Sequence, residues 1–369
     1  MFKNHKKKII VIVLLGIIST YYAYKSCIGN TYCINFVSSI IPGGSHNSSQ
    51  KYEIDLSILK SYPQYIETST IHSAHNSIEA KRFELPSPHR YGAIAAYKDT
   101  FIFMDAFGKL FLFNIDEKDA KNSQLLKTSS PALNINKKEF DEMHDNEALI
   151  QGFAVKGLVV FKNNKKNYIV ASTFKFNIAN NCQTISLYKS EVINDKNSFT
   201  TSKWENIFDS TPCLKFRHGG KTDPGAVYNT ISSGGKVQQY DNDSVLLTTG
   251  DLENNGLSSP DLVQDMSNSY GKVIKVNIFN KDNKIFSLGH RNPQGLFINK
   301  DKVIFETEHG PYGGDEVNII KENKNYGWPL RTFGVHYDVN AHRWFFDKSD
   351  RTHSGYEKPI MSWVPSIGI

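Results

Sequence analysis

Residues 100–113 read TFIFMDAFGKLFLF, two apolar-rich runs at 100–104 and 109–113 joined by Asp105-Ala106-Phe107-Gly108. A short connection with a glycine between two such runs is the mark of an antiparallel hairpin. The same style continues outward in both directions. Residues 92–97, 157–161, 168–174, 184–188, 245–249, 271–276, 295–298 and 302–306 are short segments rich in β-branched, aromatic and leucine side chains, each bounded by turn residues. Many short strands at close spacing predict an all-β sandwich, barrel or propeller. The recurrence of a glycine-lysine pair before a branched apolar residue, as in Gly108-Lys109-Leu110 and Gly271-Lys272-Val273, with no long helical interruption, favours a β-propeller.

The 369 residues suit one large all-β domain with an N-terminal appendage, and 12% aromatic content fits pleated surfaces better than helices. The net charge of +6 comes from 43 basic against 37 acidic residues, and Lys3, Lys6, Lys7 and Lys8 supply much of the excess. The remainder is nearly balanced, which excludes a basic nucleic-acid-binding face. Those lysines precede an apolar run at 9–18, and bulky Tyr21, Tyr22 and Tyr24 stand where a cleavage site needs small residues. Residues 1–25 therefore read as an uncleaved membrane anchor. Positive residues before the span place the large domain outside the cytoplasm, in the periplasm or at the cell surface. Residues 26–85 read as a stalk or irregular lead-in and 86–369 as the propeller domain. Four cysteines suit an oxidising compartment, with Cys27 and Cys33, and Cys182 and Cys213, as plausible pairs, and none has zinc-site spacing.

Polar chemistry concentrates in residues 289–329. Gly289-His290-Arg291-Asn292-Pro293-Gln294-Gly295-Leu296 is followed by Glu308-His309-Gly310-Pro311-Tyr312-Gly313-Gly314-Asp315-Glu316, then by Asn325-Tyr326-Gly327-Trp328-Pro329. Charged and amide side chains among glycines and prolines imply backbone bent to present polar groups to a ligand. Residues 234–329 resemble the soluble quinoprotein sugar dehydrogenases, the glucose/sorbosone dehydrogenase family, and weaker similarity extends back to about residue 90. The resemblance implies a six-bladed β-propeller that uses pyrroloquinoline quinone (PQQ) and calcium. It carries Arg291 and Asn292 onto the quinone, and the backbone carbonyls of Gly310 and Pro311 onto the calcium ion. Those residue types suit such roles, because a guanidinium binds carboxylate oxygens as a planar fork and calcium accepts backbone carbonyls. Asp315 and Glu316 either line the pocket or brace its loop, and residues 325–329 read as a turn with a buried aromatic anchor.

Two departures qualify the resemblance. The family's base histidine, two residues before a glycine pair, is matched here by Ser232, although the spacing from Gly234-Gly235 to Gly250-Asp251 is intact. Asp251 matches the aspartate that orients that histidine. A serine hydroxyl cannot replace an imidazole as base. His218, His290 and His309 are the remaining candidates, each read first as a packing histidine. The second departure follows Trp363-Val364-Pro365-Ser366-Ile367, where family members continue with a lysine and arginines on the quinone. A fragment of a longer protein is the favoured explanation, a reduced or oligomeric relative the other. The expectation is a PQQ- and calcium-dependent aldose dehydrogenase acting on a sugar, impaired at Ser232. The alternative is a non-catalytic propeller that binds a carbohydrate or a protein partner.

Overall fold

The computed structural model describes residues 63–72, 77–85, 92–116, 118–143, 152–163, 166–194, 199–216, 226–227, 230, 232–254, 261–335 and 353–368. The expected anchor, Cys27, Cys33 and His218 lie outside them. Among the described residues no helix is long and apolar enough to cross a membrane.

A hairpin of β1 (Gln64–His72) and β2 (Ser77–Glu84) comes first. The first large sheet contains β3 (Gly92–Tyr97), β4 (Thr100–Asp105), β5 (Leu110–Asn114) and β6 (Gln124–Lys127), in chain order. After the short helix α1 (Lys137–Met143), the second sheet is built on β7 (Val155–Asn163), β8 (Lys166–Asn177) and β9 (Cys182–Asn194). Four short strands extend it: β10 (Thr200–Thr201), β11 (Glu205–Asp209), β12 (Leu214–Phe216) and β13 (Ala226–Val227). The third sheet runs β14 (Gly234–Gln239), β15 (Ser244–Thr249), β16 (Lys272–Asn277) and β17 (Asn283–Leu288), and the fourth β18 (Pro293–Ile298), β19 (Ile304–Glu308) and β20 (Asp315–Ile320). Later strands close these two, β21 (Lys324–Asn325) beside β17 and β22 (Met361–Trp363) beside β20.

In each of these four sheets the first strand lies at an edge, and β3, β7, β14 and β18 are spatial neighbours in that order. The arrangement is propeller-like, with four such sheets, besides the β1–β2 hairpin, among the described residues where the resemblance implied six blades.

Both faces of the first sheet are covered, which explains its nearly continuous apolar runs. Ile102, Met104 and Leu110 enter the main core, whereas Phe103, Phe111 and Phe113 form a separate cluster on the other face. Phe83 of β2 packs edge-to-face on Phe113 with ring centroids 5.2 Å apart, so the hairpin covers that cluster. Part of the stretch read as an irregular lead-in, 26–85, is therefore an ordered strand pair. Its sequence hides this because the strands are mostly exposed and polar, with Phe83 among the few residues that pack inward.

In β15 every residue is buried, with Val245 and Leu247 in the main core and Leu246 in a second cluster shared with Val273, Phe286, Leu296, Ile304, Ile320 and Tyr326. The third sheet thus has a core on each side and packs against the fourth. Cys182 and Cys213 form a disulfide with Cα atoms 5.6 Å apart, joining the start of β9 to the segment before β12.

Candidate functional site

Antiparallel register brings the polar motifs to one end of the third and fourth sheets. Gly234 pairs with Thr249, Lys272 with Leu288, Pro293 with Glu308, and Glu308 with Glu316. The connections that follow Thr249, Leu288 and Glu308 therefore emerge side by side. Gly234 and Gly235 both adopt positive φ (62° and 96°), and a Cβ on Gly235 would lie 2.4 Å from Cβ of Lys156. The glycine pair is what lets β14 start against β7.

Asp251 is fully buried beyond β15. Its backbone N–H donates to the Arg291 carbonyl at 2.8 Å, which locks the two loops together. Its carboxylate accepts from the Glu253 N–H at 2.9 Å and from Trp328 Nε1 at 2.8 Å. Burial pushes the Asp251 carboxyl up to about 6, opposed by the Arg291 charge and by these two hydrogen bonds. Ser232, also buried, faces this segment through its backbone, its carbonyl accepting from the Leu252 N–H at 3.0 Å.

Arg291 is held at both ends. Its backbone N–H donates to Glu308 Oε2 at 2.6 Å, and its Nη1 donates to the carbonyls of His309 at 3.0 Å and Gly310 at 2.8 Å. Its guanidinium carbon lies 5.5 Å from the Trp328 ring centroid. Trp328 is thus the hub that sequence reading assigned to structure alone: its edge meets Asp251 and its face meets Arg291. The Trp328 carbonyl in turn accepts from Gln264 Nε2 at 2.6 Å and its N–H donates to the Gly289 carbonyl at 3.1 Å. The available signal was its place in the same polar run, but no spacing pairs it with a residue 77 positions away.

Asn292 bridges the third and fourth sheets, its Oδ1 accepting from the Gly234 N–H at 3.3 Å and from Gln294 Nε2 at 2.8 Å. In the 309–314 loop a Cβ on Gly310 would lie 2.3 Å from the Gly313 carbonyl oxygen and 2.4 Å from that of Gly314. Only glycine permits carbonyls to converge so closely there. Pro311 follows, buried. Asp315 braces this loop: Oδ1 accepts from the Gly310 N–H at 3.0 Å and Ser366 Oγ at 2.9 Å, and Oδ2 from the N–H groups of Ile367 at 3.0 Å and Gly368 at 2.7 Å. Burial works against its ionisation, yet these hydrogen bonds hold its carboxyl below the ordinary range. Glu316 is also buried, 3.6 Å from His353 Nε2, and burial together with the Glu308 charge raises its carboxyl well above the usual value.

The two carboxylates read together therefore divide, Asp315 bracing the loop and Glu316 facing a small cavity of about 10 Å³ lined also by Arg291, Glu308, Gly310, Trp328 and His353. Of the remaining candidate histidines, His309 is part-exposed with Nδ1 3.9 Å from Asp315, and His290 is fully buried, stacked on Tyr326 at 4.8 Å.

The family model described as Glucose / Sorbosone dehydrogenase matches residues 159–369, more than half of the chain. An aldose sugar dehydrogenase of Escherichia coli is 35% identical over 120 residues, covering 29% of this chain and 32% of that protein. Quinoprotein glucose dehydrogenase B of Acinetobacter calcoaceticus is 30% identical over 149 residues, covering 37% and 30% respectively. The matched stretches thus span about a third of these relatives' length. The crystal structure of the soluble aldose sugar dehydrogenase of Escherichia coli in its apo-form superposes with a TM-score of 0.53 at 18% identity over 74% of this chain and 72% of that one, a likeness of fold.

Proposed function

The chain belongs to the glucose/sorbosone dehydrogenase family, and on that premise we propose that it is the propeller of a quinoprotein aldose dehydrogenase whose proton-abstracting step is weakened at Ser232. The observation that carries the reading is the meeting of Asp251, Arg291, Trp328 and the Gly310 loop at one end of two adjacent sheets. The donor set fits the family's cofactors in kind: Arg291 supplies a fixed cation for a carboxylated quinone, and the convergent carbonyls of the 309–314 loop supply hard oxygens for calcium. Arg291 and Asn292 would hold PQQ, and Gly310 and Pro311 the metal. The Gly310 carbonyl, already accepting from Arg291, is the point where the two demands meet.

When bound, the quinone supplies a two-electron acceptor for hydride from a sugar carbinol, and calcium supplies Lewis acidity. This chain's own residues do the positioning. Trp328 fixes the Asp251 carboxylate at the loop junction, and Arg291 keeps its charge beside the same indole. Ser232 brings no base, and loss of general-base assistance costs about 10² to 10⁴ in rate. The Cys182–Cys213 disulfide supports an extracytoplasmic location.

The test is reconstitution with calcium and PQQ followed by dye reduction with a panel of aldoses. We expect retained quinone absorbance, slow turnover, and a gain of about 10² or more in kcat for Ser232→His. Arg291→Ala should lose the quinone absorbance. Ser232 also favours a second reading, a propeller that binds carbohydrate without oxidising it. Sugar binding by calorimetry with no quinone retained, and no activity in Ser232→His, would establish that reading instead.

A further inference from the structure

Behind the loop, three carboxylates and an imidazole share the interior of the fourth sheet. Glu306 and Glu308 lie two residues apart on β19 and so point to one face, opposite Asn318 and Glu316 of β20. Glu306 is completely buried, as are His290 and Asn318, and Glu308 is only 4% exposed. So much acid in a sheet interior is costly unless something neutralises it.

His290 gives the direction. Its Nε2 lies 2.9 Å from Oγ of the buried Ser287, and in the tautomer in which Nε2–H donates to that hydroxyl a lone pair is left on Nδ1. That Nδ1 has no hydrogen-bond partner, and it lies 3.5 Å from Glu308 Oε1. Glu306 Oε1 is likewise buried without a partner. The ligand atoms of His290, Glu306 and Glu308 all lie within 4.8 Å of one another. In that tautomer a lone pair facing carboxylate oxygens is repulsive unless a proton or a metal cation stands between them.

We propose that His290 Nδ1, Glu306 and Glu308 form a buried site for a divalent cation of the Mn²⁺ or Zn²⁺ class, distinct from the carbonyl loop at Gly310. One imidazole and two carboxylates make a neutral site with a dication, and the mixed nitrogen and oxygen set favours those ions over Ca²⁺. The outer contacts are in place: Ser287 fixes the imidazole, and Asn318 Nδ2 donates to Glu306 Oε2 at 3.1 Å and to Glu308 Oε1 at 3.2 Å. Glu308 Oε2 accepts from the Arg291 N–H at 2.6 Å, so the site is tied to the backbone of the loop junction. Ligands about 2.1 Å from a tetrahedral metal are about 3.4 Å apart, so metal binding must draw the three ligand atoms closer than the 4.8 Å within which they now lie. Without a cation, burial and the Glu308 charge push the Glu306 carboxyl well above its ordinary range.

The experiment uses the full chain, stripped with chelator and then given excess Ca²⁺ to fill any oxygen-only site, with no quinone added. Mn²⁺ is titrated and followed by electron paramagnetic resonance, with Zn²⁺ as competitor. The expected result is one Mn²⁺ per chain displaced by Zn²⁺, at least tenfold weaker binding in Glu306→Gln, and partial retention in Glu306→Asp. A rise in melting temperature with Mn²⁺ should accompany binding in the wild type and be absent from Glu306→Gln. Wild-type protein that takes up no Mn²⁺, or a Glu306→Gln variant that binds it equally well, overturns the proposal in favour of a proton shared among the carboxyls. With quinone and sugar absent, neither result depends on whether the chain oxidises sugars.

Discussion

Asp105 makes the turn between β4 and β5 and shows what one buried carboxyl does to stability. Its Oδ1 accepts from the Phe107 N–H at 2.9 Å and the Lys109 N–H at 2.8 Å, while its Oδ2 is buried without a partner. Burial pushes the group from 3.8 up to about 6 against those hydrogen bonds. Because the folded value is the higher one, the stabilisation is fully present below about pH 4 and is lost as pH rises through about 6. The shift corresponds to about 3 kcal/mol between those limits. Asp105→Asn keeps the Oδ1 acceptor and removes the titration. Urea unfolding at pH 4 and pH 7 should show the variant gaining about 2–3 kcal/mol on the wild type over that interval, and parallel pH slopes would refute the assignment. Single residues differed in how readable they were. Ser232, Asp251 and Arg291 stood out because the family resemblance carries roles onto the motifs that contain them. Trp328 was legible as a buried anchor but not as the partner of Asp251, a contact across 77 positions, and Glu306 was not legible at all, because its role depends on cross-strand register.

At the level of elements, Lys272 joins a segment without regular structure to a strand. The side chain starts at the head of β16 and its Nζ donates to the carbonyls of Leu262 at 3.0 Å, Val263 at 2.7 Å and Tyr270 at 2.6 Å. Burial drives its ammonium down to about 8, against the pull of Asp261 and Asp265. Lys272→Met preserves the stem and leaves three carbonyls unsatisfied, which should cost about 3 kcal/mol or more in urea unfolding at pH 7; a loss below about 1 kcal/mol would show that water replaces the ammonium. The Gly271-Lys272-Val273 motif announced a strand start but not this clamp, and in the matching Gly108-Lys109-Leu110 the lysine is half-buried rather than enclosed. Strand positions were readable because short apolar-rich runs bounded by turn residues survive in the sequence. Strand lengths were less so: residues 184–188 were read as a strand, whereas β9 runs Cys182–Asn194 and pairs with β8 on one side and with β10, β11 and β12 on the other. Its polar ends are strand because neighbours pair with them, a cause absent from local composition.

Across the whole molecule, apolar burial and buried charge are unequally distributed, and this sets an order of opening. The second sheet places Phe161, Ile169, Val170, Ala171, Phe174, Phe176, Ile185 and Leu187 in the main core at 0–1% exposure. The fourth sheet contributes only Leu296, Ile304 and Ile320 to the smaller cluster, and its interior holds Glu306, Glu308 and Glu316. The propeller class was legible from repeated short strands, but this imbalance was not, because it depends on which faces the register turns inward. Buried carboxyls lower the local free energy of opening where apolar contacts raise it. Hydrogen exchange at neutral pH should therefore release peptides covering 304–320 before those covering 168–190. Mn²⁺ should slow the first set and leave the second unchanged, because a ligand protects the region whose opening destroys its site. Exchange of both sets at one rate would mean that the four sheets open as a single unit, and earlier release of the second sheet would contradict the ordering by buried charge.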